Sequence, residues 1–363
     1  MRPRLHQWGV KIGRFARGRD NAITDVCGVT VGHSTLISGQ GPLVPGTGPI
    51  RTGVTAIYPH SKGLFHARVA AGVFALNGAG DIAGLPQVEE WGVVETPILL
   101  TNTLSVGQVH DAVLDYLLER YPEAGITADP MIPLVAECDD SHLNDIRGRH
   151  LTKQYTYDAL DTAKGGLVEE GCVGAGTGMI SFEFKSGIGT ASRVLPTASG
   201  GFTVGVLVLS NFGKRHSLRI AGLPVGNILT DRMPDPPPEG SIVAVLATDA
   251  PLHSWQLRRV AKRMALGLGR TGSYASHISG EFCIAFSNST LISRKAEKLT
   301  FSMEILHDSY LDPIYEAAVD ATEEAIVNSL LQATDMRGRD DHMVYAIEVE
   351  RLYALLKSQG IAH

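Results

Sequence analysis

Apolar residues recur along this chain with two spacings, and each spacing predicts one kind of element. Segments in which every second residue is apolar, or which are apolar throughout and short, are typical of β-strands. Such segments predict strands at 28–35, 52–58, 67–76, 97–100, 132–136, 178–185, 201–210, 242–247 and 281–286.

Helical spacing of three and four residues occurs in fewer places. In the first of them, Val109, Val113, Tyr116 and Leu117 fall on one face. This spacing predicts helices at 106–121, 252–268, 312–331 and 345–356. The chain is therefore of mixed α and β type, with buried strands and helices that can cover their outer faces. No internal repeat is visible.

Composition narrows the class of protein. The 363 residues are 44% hydrophobic and 19% charged, which is typical of a folded globular chain. The net charge of −6 is spread along the sequence, so we expect no nucleic-acid partner. The N-terminus lacks the apolar segment of a signal peptide, and no stretch is long enough for a membrane helix. A cytoplasmic protein without membrane contact is expected.

The four cysteines are scattered, and none has the spacing of a metal ligand. We expect reduced thiols, no metal and no cofactor. The glycine-rich segment 171–178 leads into a predicted strand and not into a helix, so a structural turn is favoured over a phosphate site. His33, His216 and His277 are each possible general bases, but none has an evident serine and acid partner.

The segment 231–249 carries the most specific chemical signal. Its prolines predict an exposed, extended stretch at 234–238, followed by Gly240 and Ser241 and then by a buried strand. Glycine has no Cβ, so a nucleophile can approach its carbonyl closely. Cleavage between Gly240 and Ser241 would give Ser241 a free α-amine beside its hydroxyl. A proline-rich linker before an ordinary strand is the alternative.

Three further features are candidates for the same chemistry. Ser279 and Glu281 flank a glycine, so their side chains can project to one side and polarise a hydroxyl or hold an amine. Asn211 ends a predicted strand and can donate to an oxyanion, and Glu137 ends another and can pair with an ammonium group. Each is equally compatible with a turn at the end of a strand.

Taken together, these segments resemble the DmpA/BapA-type aminopeptidases, which comprise self-processing L-aminopeptidase/D-esterases and β-peptidyl aminopeptidases. The resemblance covers nearly the whole chain. It is carried by the segments at 21–33, 76–80, 101–107, 143–146, 173–179, 185–193, 211–213, 240–241, 247–252 and 338–341.

The resemblance implies an α+β fold, a four-layer αββα sandwich similar to N-terminal-nucleophile hydrolases. It implies one domain over 1–363, cleaved into fragments 1–240 and 241–363, and a homo-oligomer of such αβ pairs. Ser241 matches the nucleophile, Ser279 and Glu281 the activating pair, Asn211 the oxyanion-hole residue and Glu137 the carboxylate that holds the substrate amine.

One position departs from the family pattern. Some relatives have Glu-Thr-Tyr-Asp-Gly where this chain has Glu137-Cys-Asp-Asp-Ser141, and the tyrosine helps to stabilise the oxyanion. Asp139 only accepts hydrogen bonds when ionised and would repel that charge. Either Asp139 turns away, or a water molecule or backbone N–H takes over.

The sequence therefore predicts a metal-free serine aminopeptidase or amidase that acts on small peptides, amino-acid amides or esters through an acyl-enzyme. Two alternatives stay open. One is an acyltransferase of the ornithine-acetyltransferase type, although such enzymes typically carry threonine at the new N-terminus. The other is an unprocessed, non-catalytic binding protein with the same fold.

Overall fold

A computed structural model describes residues 2–235, 240–296 and 298–363. Its strands are β1 (Thr30–Ser38), β2 (Ile50–Tyr58), β3 (Ala67–Gly78), β4 (Ile82–Ala83), β5 (Val93–Val94), β6 (Ile98–Asn102), β7 (Leu134–Cys138), β8 (Ile180–Ser181), β9 (Phe184–Lys185), β10 (Ile188–Val194), β11 (Thr203–Asn211), β12 (Ser241–Thr248), β13 (Gly280–Ser293), β14 (Met336–Arg337) and β15 (Met343–Val344). Its α-helices are α1 (Leu85–Trp91), α2 (Val106–Arg120), α3 (Lys153–Asp161), α4 (Ser254–Arg270), α5 (Asp312–Gln332) and α6 (Val349–Ser358).

The longer strands form two sheets. Sheet I has the strand order β1-β2-β6-β7-β4, and sheet II has the order β10-β11-β12-β13-β3-β5. Each sheet contains one parallel pair, β6 with β7 and β12 with β13, among antiparallel neighbours. Strands β7, β11, β12 and β13 carry most of the candidate site residues.

The sheets pack face to face and are covered by helices on both outer sides. Fully buried aliphatic residues of sheet I, such as Leu100, meet those of sheet II, such as Leu207 and Val245. Helices α4 and α5 pack on the outer face of sheet II, and α2 and α3 pack on that of sheet I. The layers are therefore α, β, β and α, which confirms the predicted four-layer sandwich.

This layering explains why β12 is apolar from Ile242 to Ala247. All eight of its residues are buried. Val243 and Val245 face the other sheet, whereas Ile242 and Ala244 face the helices. A strand buried on both faces requires a continuous apolar run, not an alternating one. The strand that begins at Ser241 thus lies in the middle of the molecule.

Other predicted elements differ from the structure. The strand predicted at 178–185 is instead a hairpin of β8 and β9, because Phe182 and Glu183 both adopt positive φ angles and reverse the chain. The last helix begins at Val349 and not at 345, since the Tyr345 carbonyl accepts the backbone N–H of Lys185 and keeps this stretch extended. The sequence prediction missed β10, α1 and α3.

The predicted exposed stretch at 234–238 lies largely outside the described residues. Of its two described members, Pro234 is buried and Asp235 is exposed, so the prediction of exposure is wrong for Pro234. Within the described residues, none of the helices has the length and apolar character needed to span a lipid bilayer.

Candidate active site

Ser241 is the first residue of β12 and is 6% exposed. Its register partner on β11 is Asn211, the last residue of that strand. Gly240 precedes it, and a Cβ added there would lie 1.8 Å from the backbone oxygen of Asn211. Only glycine fits such a close approach of two backbones. The peptide link before Ser241 is therefore held directly against Asn211.

The side-chain amide of Asn211 is fixed at both ends. Its Oδ1 accepts the backbone N–H of Ile180 at 2.7 Å, and its Nδ2 donates to the Asp139 carbonyl at 2.8 Å. An amide nitrogen carries two hydrogens, so a second donor remains beside Gly240 and Ser241. Asn211 is 1% exposed, and a rigid donor in a dry environment suits the stabilisation of an oxyanion.

Arg215 explains why the hairpin that holds Asn211 is rigid. Its guanidinium donates to the carbonyls of Phe182 and Glu183 at the hairpin turn, at 2.9 and 2.6 Å. It also donates to the carbonyls of Leu229 and Asp231 at 2.8 and 3.0 Å, just before the proline-rich segment. Burial lowers the pKa of Arg215 to about 10, which leaves it charged at neutral pH. The sequence prediction did not identify this residue.

Ser279 and Glu281 are brought together as predicted. Ser279 ends the loop before β13, and its hydroxyl donates to Oε1 of Glu281. Burial raises the pKa of the Glu281 carboxyl to about 7, and the Ser279 hydroxyl opposes this shift. Its second oxygen, Oε2, is buried and has no hydrogen-bond partner among the residues that the structure describes. Such a group can accept a proton near neutral pH.

The pair lies beside Ser241 but is not bonded to it. Strands β12 and β13 are parallel neighbours, and Glu281 is in register with Ile242, the residue after Ser241. Within the described part of the chain, no hydrogen bond joins Ser279 or Glu281 to the Ser241 hydroxyl. An α-amine at Ser241 would bring a new hydrogen-bonding group to this edge of the sheet, on the strand next to Glu281.

Glu137 lies on β7 in the opposing sheet and is 3% exposed. Its Oε1 accepts the backbone N–H of Asp81 at 3.0 Å, and its Oε2 accepts the hydroxyl of Thr103. Burial raises its pKa, these two bonds oppose the shift, and the charges of Asp139 and Asp81 add to it. A substrate ammonium would stabilise the ionised form and offset the cost of burial.

Cys138 connects the Glu137 strand to Ser241. Its thiol donates to the Leu209 carbonyl, with Sγ 3.6 Å from the oxygen. Complete burial raises the pKa of this thiol well above its ordinary value, so it stays protonated. The Ser241 side chain is close enough to oppose this shift by lowering the pKa of the thiol. The sequence had suggested only a reduced thiol here, and its position beside Ser241 could not be foreseen.

Asp139 turns its carboxylate away from the candidate oxyanion position. The side chain is exposed, and Oδ1 accepts the backbone N–H of Ser141 at 2.8 Å within the same loop. Only its backbone carbonyl contacts Asn211. Of the two outcomes expected from the sequence, the structure shows the one in which Asp139 turns away.

The remaining sequence candidates have structural roles. Burial lowers the pKa of His33 to about 4, and its Nδ1 lies 2.9 Å from Oγ1 of Thr55. The His216 ring stacks on Tyr274, and the His277 carbonyl accepts from Asn77. The glycines of 171–178 pack closely against neighbouring backbone. In the ranges that the structure describes, no three His, Cys, Asp or Glu side chains form a metal-binding group.

Comparisons with known proteins agree on one family. The family model described as "Peptidase family S58" matches residues 21–344 of this chain. The chain is 42% identical to the beta-peptidyl aminopeptidase BapA of Sphingosinicella xenopeptidilytica over 371 residues, which cover 98% of this chain and 92% of the relative. The structure of a Burkholderia sp. beta-aminopeptidase matches with a TM-score of 0.91 and 40% identity, over 99% of each chain.

A second solved structure gives the fold class. It is the L-aminopeptidase D-Ala-esterase/amidase of Ochrobactrum anthropi, described as a prototype for the serine aminopeptidases and a variant of the Ntn hydrolase fold. It matches with a TM-score of 0.93 and 40% identity, over 99% of this chain and 100% of the other. These matches confirm the resemblance seen in the sequence: the chain belongs to peptidase family S58.

Proposed function

We propose that the protein is a self-processing serine aminopeptidase and amidase whose nucleophile is Ser241. One observation carries this proposal: Ser241 opens β12 directly opposite Asn211, with Gly240 packed against the same asparagine. Membership of peptidase family S58 supports hydrolysis of peptide or amide bonds as the reaction.

Self-processing uses these three residues together with the Ser279–Glu281 pair. The Ser241 hydroxyl oxygen bonds to the Gly240 carbonyl carbon. Its proton passes by way of the ionised Ser279–Glu281 pair to the departing nitrogen as the Gly240–Ser241 amide bond breaks. The second Nδ2 hydrogen of Asn211 stabilises the oxyanion that forms. Water then hydrolyses the ester. The products are a fragment 1–240 with a new carboxylate and a fragment 241–363 with a new α-amine, which together make the proposed mature domain.

The new α-amine supplies the base for turnover. An α-amino group has a pKa of about 7.7–8.0, so a substantial fraction is neutral near physiological pH. It takes the proton of the Ser241 hydroxyl as that oxygen attacks the substrate carbonyl, and Asn211 again binds the oxyanion. Glu281, through Ser279, holds and orients the amine. The resulting ammonium gives that proton to the leaving amine or alcohol as the substrate's scissile bond breaks, which leaves an acyl-enzyme on Ser241. The neutral amine then takes a proton from the attacking water and returns it to the Ser241 oxygen as the ester bond breaks.

Glu137 selects the substrate. Its buried carboxylate pairs with a free N-terminal ammonium, which makes the enzyme an exopeptidase or amidase. Two matched proteins are named for β-peptides or β-amino residues, and a third for L-amino acid and D-alanyl substrates. We therefore propose small peptides, amides and esters of α- and β-amino acids as the substrate class.

We also propose a cytoplasmic homo-oligomer of αβ pairs. Large apolar side chains are exposed at Trp91, Trp255, Leu299 and Phe301, and burial of such side chains in an assembly would remove them from water. One αβ pair has a mass of 38.8 kDa. Sedimentation equilibrium of the mature protein is expected to give a larger mass than this. A mass of one pair at all concentrations would contradict this assembly.

Replacement of Ser241 by alanine tests the nucleophile. Ser241→Ala is expected to stay full-length and to lose about 10⁴-fold or more of kcat on amino-acid amides, because no other hydroxyl takes its place. Ser287→Ala is the matched control, since Ser287 is a buried serine of the same sheet that bonds only away from the site. Electrophoresis and amide hydrolysis measure both effects. Processing of the Ser241→Ala chain would disprove the proposal.

Replacement of Glu137 by glutamine separates substrate binding from self-processing. Glu137→Gln keeps the shape but loses a charge-assisted bond of about 1.5–3 kcal/mol, so kcat/KM for free-amine substrates should fall by about 10- to 150-fold. Self-cleavage should continue unchanged, because the Gly240 acyl group carries no ammonium. Asp139→Asn is the control for charge alone and should have a smaller effect, since Asp139 is exposed. Equal losses in the two variants would contradict direct pairing.

The pKa of Glu281 predicts the pH dependence of self-processing. Its raised value of about 7 means that the ionised, accepting form disappears as pH falls through neutrality, and the rate should fall with it. The Ser279 hydroxyl lowers that pKa, so Ser279→Ala should be slower and its midpoint should move to higher pH. Pulse-labelled full-length chain, chased at a series of pH values, gives both midpoints. An unmoved midpoint would contradict the assigned pairing.

A further inference from the structure

The segment 76–80, which contributed to the sequence resemblance, has no part in the mechanism described above. Asn77, near the end of β3, has an unusual set of bonds. Its Nδ2 shares two hydrogens among the backbone carbonyls of Ser276, His277 and Ser279, whose oxygens lie 2.9, 3.2 and 2.6 Å away. One side-chain amide thus holds most of the loop that ends at Ser279.

A β-bulge in β3 directs the side chain of Asn77 toward this loop. Along the β3–β13 pair, Glu281 is opposite Asn77 but Phe282 is opposite Ala75, so Leu76 is an additional residue on β3. A bulge of this kind bends the strand and redirects the side chains beside it, and bulges are common next to active sites. The extra residue is itself exposed, which leaves Asn77 turned toward the loop before β13.

Among the described residues, one further backbone hydrogen bond holds the loop directly at Ser279. The Ser279 backbone N–H donates to the Ser276 carbonyl at 2.9 Å and closes a turn. The side chain of Asn77 donates to carbonyls of the same turn. Because the Ser279 carbonyl is fixed by the shortest of the three Asn77 bonds, the direction of the Ser279 side chain is fixed with it. That side chain is the one that donates to Glu281.

The same short segment also reaches the amine site. A Cβ at Gly80 would lie 2.8 Å from Oε1 of Glu137, and the neighbouring Asp81 N–H donates to that oxygen. Residues 77–81 therefore contact the Ser279 loop at one end and Glu137 at the other. This explains in physical terms why asparagine and glycine occur together in this segment.

We propose that Asn77 is a positioning residue for the Ser279–Glu281 pair, which it acts on through the loop backbone. This inference rests on the proposed function, because it assumes that the pair assists Ser241. Without the Asn77 amide, the loop carbonyls lose their donor and Ser279 no longer holds one direction toward Glu281. Small misplacements in a catalytic site reduce rates strongly, by up to about 10²-fold for 1 Å.

The titration of Glu281 reports this alignment. On its own strand the neighbouring ionisable group is Cys283, whose pKa burial raises to about 12, so that thiol stays neutral. The adjacent strands β3 and β12 present Asn77 and the Ser241 hydroxyl, and His277 lies in the loop. Self-cleavage is the suitable reaction to follow, because the Ser241 α-amine does not yet exist and cannot contribute to the profile.

The chain contains a matched control for Asn77. Asn288 lies on β13, the strand of Glu281, beyond the site. Its Nδ2 also donates to two backbone carbonyls, those of Cys27 and Pro59, at 2.8 and 3.0 Å. Asn288→Ala therefore removes the same kind of structural clamp at a distance from Ser279. Asn77→Asp keeps the shape of Asn77 but places an acceptor against three carbonyl oxygens.

Self-cleavage of pulse-labelled full-length chain should be followed across pH for the wild type, Asn77→Ala, Asn77→Asp and Asn288→Ala. Asn77→Ala is expected to be slowed about 10-fold or more, with the midpoint moved to higher pH in the direction of Ser279→Ala. Asn77→Asp should be at least as slow. Asn288→Ala should keep the wild-type rate and midpoint. Thermal unfolding of all four chains checks that they are folded.

The results distinguish the two proposals. If Ser241→Ala is inert but Asn77→Ala keeps the wild-type midpoint, or loses rate only as much as Asn288→Ala does, the positioning role is wrong and the proposed function stands. If Ser241→Ala still cleaves itself, the proposed function fails and the role of Asn77 fails with it.

Discussion

The site depends on the pairing of two strand ends in the middle of a buried sheet. Because β11 ends where β12 begins, Asn211 and Ser241 lie opposite each other, and Gly240 must approach the Asn211 backbone more closely than any residue with a Cβ could. The apolar packing of β12 on both faces keeps this pairing rigid. A donor, a hydroxyl and a peptide carbonyl are thus held together before any bond is cut.

Two buried glutamates illustrate how environment gives one residue type different roles. One oxygen of Glu281 has no partner in the described part of the chain, and burial brings the pKa of this carboxyl close to neutrality, which suits a group that exchanges or orients a proton. Both oxygens of Glu137 accept hydrogen bonds that favour its ionised form, which suits a fixed partner for an ammonium group. The segment 77–81 contacts both the Ser279 loop and Glu137, and so connects the two sites.

Much of this could be predicted from sequence, because it depends on local pattern. Hydrophobic spacing predicted most long strands and helices, and a proline-rich segment before a buried strand indicated Ser241. The roles of Arg215, Cys138 and Asn77 could not be predicted, since each depends on strand register, on a bulge or on a hairpin formed by distant residues. Helix α5 is a similar case. Its charged residue Glu324 is buried against Arg193, a partner 131 positions earlier in the printed sequence that no local pattern reveals.

The central claim is that the Gly240–Ser241 bond opens and leaves serine as a new N-terminus. The most direct test is intact-mass spectrometry of the freshly purified wild-type protein, with N-terminal sequencing of each component. The account predicts two chains, one corresponding to residues up to 240 and the other beginning Ser-Ile-Val-Ala. A single mass of the uncut chain that persists on incubation at neutral pH would contradict it.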